Sequence, residues 1–284
     1  MNPDDMHRLM ELLQGGPVAV LSGAGLSVAS GLPSYRGQNG EWLHSRPIQH
    51  QEFLSSEAVR QRYWARSYVG WETIGPARPN AGHLALAALE QAGRVSAIIT
   101  QNVDGLHHKA GTKAVIELHG SIARVSCLGC HEPYPRAVVQ TWLRDLNPSL
   151  PHQHARAIKR APDGDAHVDE ATHQSFVVPP CPACGGILKP DVVFYGDGVP
   201  RERVAAAMHA VEQSAALLVV GSSLTVYSGF RFAQHAHRLG KPVAAINRGV
   251  TRADPLLNLK IDADCGEALG LVVGELAAWE RSTC

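Results

Sequence analysis

Four apolar runs punctuate the chain: PVAVLSGAG (17–25), VSAIITQNVD (95–104), ALLVVGSSL (216–224) and PVAAINRG (242–249). Each holds four to six apolar residues without polar alternation and ends abruptly in a polar or glycine-rich loop. A strand wetted on one face alternates, whereas an unbroken run suits a strand buried on both faces. Helical patterns lie between the runs, NAGHLALAALEQAG (80–93) and RERVAAAMHAVEQSAA (201–216), the second with apolar residues at helical spacing. Strand and helix in alternation predict an α/β fold, a mostly parallel sheet covered on both sides.

Two segments break this rhythm. Residues 40–79 contain QRYWARSYVGWE, which reads as an aromatic helix, and residues 124–190 carry two C-x-x-C pairs. Much of the stretch between Cys130 and Cys181 bears Pro, Asp and His, and reads as a surface excursion with short helices. Its histidines (His152, His154, His167, His173) are expected to be surface residues rather than a second metal site. The expected division is a sheet domain from 1–39, 80–123 and 191–284, a helical insertion at 40–79, and a small zinc-binding domain at 124–190.

Ligands of such sheets sit beyond the carboxyl ends of the strands. Here those ends are Gly23-Ala24-Gly25, Gln101-Asn102-Val103-Asp104, Gly221-Ser222-Ser223 and Asn247-Arg248-Gly249. Any one of these is an ordinary turn. Four together predict one shared crevice.

With 284 residues the chain is long enough for one large domain with an insertion, or for two modest ones. The 26 Lys and Arg balance the 26 Asp and Glu, which argues against a nucleic-acid or membrane-surface partner. The N-terminus MNPDDMHRLMELLQGG has neither the apolar core of a signal peptide nor an Arg/Ser-rich amphipathic pattern, so a cytoplasmic location is expected.

Of six cysteines, four form the pairs Cys127-x-x-Cys130 and Cys181-x-x-Cys184. Without a secretory signal such pairs read as metal ligands, and four thiolates complete a closed tetrahedral zinc shell of structural type. His119, close by in ELHGSIARVSCLGC, is therefore not needed as a ligand. By itself it reads more readily as a capping or core histidine than as a base. The loop LSGAGLSVASG has Val28 where the G-x-G-x-x-G of a hydride-transferring domain has its last glycine, which disfavours a dehydrogenase. It still suits close approach of backbone amides to a pyrophosphate.

Taken together, the motifs resemble the sirtuin family. GAGLSVASGLPSYRG is similar to its glycine signature, TQNVDGLHHKAG to its second motif and ELHGS to its third; the paired C-x-x-C, KPDVVFYGD, GSSL and NRG follow in the family's order, over roughly residues 15–270. RPIQH, QRYWARSYVGW, APDGD and the long gap most resemble the class II branch with lipoamidase and ADP-ribosyltransferase members, and its bacterial relatives. The resemblance implies a Rossmann-like NAD-binding domain and an NAD-consuming protein-lysine deacylase that releases nicotinamide and O-acyl-ADP-ribose. Protein mono-ADP-ribosyl transfer from the same pocket is the alternative, and a non-catalytic zinc-ribbon module the more distant one.

It further implies His119 as general base on the ribose, with Asn102 and Asp104 beside it in catalysis. Gly23, Ala24 and Gly25 would line the pyrophosphate, and Tyr35 and Arg36 belong to the loop that closes over NAD. Gln101, Asn102, Val103 and Asp104 would hold ribose and carboxamide, while Gly221, Ser222, Ser223, Asn247, Arg248, Gly249 and Cys265 would hold the adenosine half. Val193 and Phe194 match the strand that pairs with an acyl-lysine peptide. Tyr63-x-x-Arg66 resembles the pair that meets acidic acyl chains in the desuccinylase branch; a helix puts both on one face, and a guanidinium grips a carboxylate bidentately. Two departures bear on turnover: Ser34 stands where the family often has Asp, and Ala29 where it often has Glu.

Overall fold

The computed structural model describes residues 1–35, 37, 41, 47–149 and 170–283. Arg36, Cys284, the APDGD stretch, His152, His154 and His167 lie outside the described residues.

The four apolar runs are strands β1 (Val18–Ser22), β2 (Val95–Thr100), β7 (Leu217–Val220) and β8 (Val243–Ile246). Two three-residue edge strands join them, β3 (Val115–Glu117) and β9 (Leu259–Ile261), giving the all-parallel order β3-β2-β1-β7-β8-β9. Alternate side chains divide between two cores. Val18 and Val20 pack with Leu9 and Leu13 of α1 (Pro3–Gln14), Leu86 and Leu89 of α5 (Ala81–Gln91), and Leu269 and Val272 of α11 (Cys265–Thr283). Ala19 and Leu21 face Ala207 and Val211 of α9 (Arg201–Gln213) and Phe230 and Ala233 of α10 (Tyr227–Arg238). Burial on both faces is why β1, β7 and β8 lack polar alternation.

The aromatic segment forms α3 (His50–Ser55) and α4 (Glu57–Ile74). The cysteine-bearing segment builds a second, antiparallel sheet from β4 (Gly120–Cys127), β5 (Pro133–Pro135) and β6 (Leu188–Val192), in the order β5-β4-β6, with α7 (Arg136–Leu146) packed on it. α8 (Glu170–Ser175) precedes the second cysteine pair. Trp64, Ala65 and Tyr68 of α4 share one core with Val125, Val139, Leu143, Phe176 and Leu188, and the Trp64 indole N–H donates to the Leu188 carbonyl at 3.2 Å. The aromatic helix is thus packed on the small sheet. Among the described residues no helix is long and apolar enough to cross a membrane.

Candidate active site

The four strand-end loops meet in one cleft of about 470 Å³ at the carboxyl edge of the parallel sheet. Its size falls in the range of small-molecule sites. Glycines make the convergence possible. A Cβ on Gly25 would stand 2.8 Å from the Gly221 carbonyl oxygen, and one on Gly23 2.7 Å from Ser222 Cβ, so the loops after β1 and β7 touch backbone to backbone. Gly221 also takes φ +62°, where a side chain is strained. Asn80 pins the first of these loops: it caps α5 by accepting from the Gly82 N–H at 2.9 Å and donates to the Leu26 carbonyl at 2.8 Å.

One end of the cleft holds a chain of polar side chains. The Asn102 amide donates to the Gly23 carbonyl at 3.0 Å and to Ser27 Oγ at 3.1 Å; the Ser27 hydroxyl donates to Asp104 Oδ2 at 2.7 Å. Asp104 Oδ1 accepts the N–H of Leu106, the first residue of the short helix α6 (Leu106–Lys109), at 2.9 Å. Burial pushes the Asp104 carboxyl above its ordinary value, while the bonds from Leu106 and Ser27 pull the other way.

His119 lies where the chain leaves the parallel sheet for β4. Its Nδ1 stands 2.9 Å from the Gln101 carbonyl and its Nε2 2.8 Å from Ser228 Oγ. A carbonyl only accepts, so Nδ1 carries the hydrogen and Nε2 presents a lone pair. Burial lowers its pKa; the bond to Gln101 opposes this, and the fields of Arg231 and Arg203 add to the lowering. The imidazole is therefore neutral at pH 7, with its basic nitrogen toward the cleft.

Beyond His119 the cleft turns apolar, lined by Ile48, Tyr63, Ile122, Val192 and Phe194. Phe53, Tyr63 and Phe194 pack as an aromatic cluster with centroids 5.1–5.5 Å apart. Leu224, which also lines the cleft, holds φ +53°, a strained conformation for a bulky residue.

Most residues singled out in the sequence share this cleft. Gly23, Ala24, Gly25, Tyr35, Gln101, Asn102, Val103, Asp104, His119, Gly221, Ser222, Ser223, Asn247, Arg248, Val193, Phe194 and Tyr63 line it. Gly249 and Cys265 are not among its lining residues. Cys265 lies behind it, its thiol against the Ile246 carbonyl at 3.5 Å and pushed up to about 12 by burial. Arg66 is half-buried on α4 and does not line the cleft; the aromatic cluster around Tyr63 occupies that wall. Of the two departures, Ser34 lines the cleft and Ala29 is exposed elsewhere. Ser27, Ser228 and Arg231 line the cleft as well, and no sequence motif assigns them a role. Ser27 stands inside the glycine motif and was within reach; Ser228, 109 positions from His119, carried no local signal.

The four cysteines form a separate site. Their sulfurs all lie within 4.8 Å of one another, with Cys127 and Cys184 at 3.4 Å and Cys130 and Cys181 at 3.7 Å. Ligands of a tetrahedral zinc ion at about 2.3 Å stand about 3.8 Å apart, so this donor set fits one zinc in a closed, structural shell. Gly186 gives the cluster room: a Cβ there would press on Cys127 Sγ at 2.8 Å. His119 takes no part in it, and no other group of metal-ligating side chains occurs among the described residues.

Residues 23–228 match the Sir2 family. An NAD-dependent protein deacetylase of Xanthomonas campestris pv. campestris (strain 8004) is 53% identical over 253 residues, covering 89% of this chain and 85% of the relative. One from Bordetella bronchiseptica is 51% identical over 270 residues, covering 95% and 97%. Among solved structures, a Sir2 bound to a p53 peptide and NAD+ superposes with a TM-score of 0.76 at 28% identity, covering 96% of this chain and 99% of that one. Another Sir2 enzyme gives 0.76 at 30% identity, covering 98% and 100%.

Proposed function

We propose a function from one premise: this chain belongs to the Sir2 family. It is an NAD-dependent protein-lysine deacylase. The observation that carries the reading is the anchored, neutral His119, its basic nitrogen turned into a cleft that also holds Asn102, Ser27 and Asp104.

The cleft suits the parts of NAD in turn. The tight backbone of Gly23 to Gly25 meets the pyrophosphate, with Tyr35 in the covering loop. Ser222, Ser223, Asn247 and Arg248 offer hydroxyl, amide and cationic partners to the adenosine half. Gln101, Asn102, Val103 and Asp104 surround the nicotinamide ribose and its carboxamide. When bound, NAD supplies an electrophilic ribose carbon with nicotinamide as its leaving group. His119 then takes the proton of a ribose hydroxyl at Nε2 while its Nδ1–H stays on Gln101; a side chain with an ordinary pKa near ~6.5 suits that transfer. The zinc shell holds the small sheet and does no chemistry. The parallel sheet, the helical insertion and the zinc-bearing segment serve as three domains divided near residues 39, 79, 123 and 190.

The substrate backbone lies along Val193 and Phe194. The Val193 N–H donates to the His119 carbonyl at 2.9 Å and the Asp197 N–H to the Phe194 carbonyl at 3.0 Å, which ties this segment to the site. The apolar lining from Ile48 to Phe194 supports acyl groups longer than acetyl. An acidic chain would have to pass Tyr63 to meet Arg66; if Arg66→Ala leaves kcat/KM for glutaryl-lysine unchanged, that part of the reading fails.

The test of function is nicotinamide release from NAD, with and without acetyl-, succinyl-, glutaryl- and lipoyl-lysine peptides, on wild type and His119→Tyr. Peptide-dependent release that the substitution abolishes is expected. Gain of ADP-ribose by a protein acceptor without acyl loss would replace the deacylase reading with mono-ADP-ribosyl transfer.

A further inference from the structure

The reading of His119 as a base leaves one contact unused. Nε2, the nitrogen that must receive the proton, is already met by the Ser228 hydroxyl at 2.8 Å. Ser228 is the second residue of α10, and the approach of that helix is specific. Its next residue, Gly229, has no side chain, and a Cβ there would stand 2.5 Å from Gln101 Oε1. Gln101 in turn provides the carbonyl that holds Nδ1 and donates its side-chain amide to Ser222 Oγ at 2.7 Å. The start of α10 thus brings a hydroxyl against the one nitrogen of His119 that the Gln101 carbonyl does not hold.

A part-buried imidazole that accepts a proton becomes an imidazolium with two N–H groups, and each then needs an acceptor. The Gln101 carbonyl serves Nδ1 in both states. A serine hydroxyl serves Nε2 in both, because turning its hydrogen converts it from donor to acceptor. We propose that Ser228 is a positioning residue for His119. Its hydroxyl donates to the Nε2 lone pair before proton transfer and accepts from Nε2–H afterwards. In the step itself the Ser228 hydrogen turns off the single Nε2 lone pair as the ribose hydroxyl reaches it, the ribose O–H bond breaks and Nε2–H forms; no covalent bond to Ser228 is made or broken. The inference rests on the reading of His119 as the base.

The charged groups whose fields act on His119 are Arg231 of α10 and Arg203 of α9; Asp191 of β6 and Glu117 of β3 are themselves paired. Arg203 is paired with Asp191 at 3.1 Å, and Glu117 with Arg124 at 2.6 Å. The two arginines disfavour the imidazolium, which makes a neutral acceptor at Nε2 matter more. A hydrogen bond to a charged group is stronger than one to a neutral group, so loss of the Ser228 oxygen weakens the base rather than strengthening it.

The test compares Ser228→Val, Ser228→Thr and His119→Asn in peptide deacylation across pH. Valine and threonine match in shape and differ in the hydroxyl. Ser228→Val is expected to lower kcat by about tenfold, the scale of one lost bond to a charged group, and to move the acid limb of kcat/KM to lower pH. Ser228→Thr should restore both. Equal effects of valine and threonine, or a fall in kcat with the acid limb unmoved, would show a packing role only and overturn the proposal. An active His119→Asn would instead overturn the base reading beneath it, so the two failures are distinguishable.

Discussion

His119 is poised by three side chains and one carbonyl. Burial and the fields of Arg231 and Arg203 hold its pKa below the ordinary value of 6.5, so protonation disables it only in acid. The pH dependence of kcat/KM should be flat through neutrality, with an acid limb whose midpoint lies below about 6.5. A limb centred above 7 would contradict the account. Ser27 is the other small residue with large consequences. Ser27→Ala removes the hydroxyl that joins Asn102 to Asp104 and leaves a buried carboxyl oxygen without its donor. The expected cost is about 1–3 kcal/mol of stability, read as a lower denaturation midpoint, with weaker NAD binding by calorimetry. At this scale the sequence was legible where chemistry is local: Asn102, Asp104 and His119 stand within 18 positions in two motifs. Ser228 was not, because only the packing of α10 brings it to His119.

Secondary elements set the width of the cleft. The loops after β1 and β7 touch through Gly23, Gly25 and Gly221, so a single methyl forces them apart. Gly25→Ala is expected to cost about 1–3 kcal/mol, as overpacking does, and to weaken NAD binding at least in proportion. Unchanged affinity would mean that the loop junction does not shape the site. Strands β1, β7 and β8 were legible because burial on both faces leaves an unbroken apolar run; β2, with Ser96 exposed, was legible from its remaining apolar residues. The edge strands β3 and β9 were not, since three residues carry no usable period. α7 was submerged in a stretch whose composition speaks for loops, although its inward face places Val139 and Leu143 in the small core.

Across the whole molecule, two buried titratable groups bear on stability. His83 and His107 face each other with ring centroids 5.0 Å apart; burial lowers the first to about 4 and the second to about 3. Both are depressed cations, so the unfolded chain binds protons that the folded chain refuses. Stability should therefore fall as pH drops from 6.5 through 4, by on the order of several kcal/mol. Urea midpoints at pH 7.5, 6 and 5 should decline in that order, and His107→Gln should flatten the decline. The zinc shell is the second support of the whole. Cys127 and Cys181 share a core with Trp64 and Tyr68 of α4, so a metal chelator should lower the melting temperature and loosen the wall carrying Tyr63. An intact melting temperature in a metal-free preparation would remove zinc from the account. One of the two antiparallel partners of β4, the strand β6, lies beyond the long gap, with Cys127 opposite Leu188, and a separation of that length hides the pairing from any local pattern.

The central claim is that acyl loss and nicotinamide release are one event governed by His119. The most direct measurement is the stoichiometry of both products from one acyl-lysine peptide, by mass spectrometry, for wild type and His119→Asn. The account predicts one nicotinamide per acyl group removed in the wild type, and loss of deacylation by about a hundredfold or more in the variant. Acyl removal without nicotinamide, or an equally active variant, would contradict it.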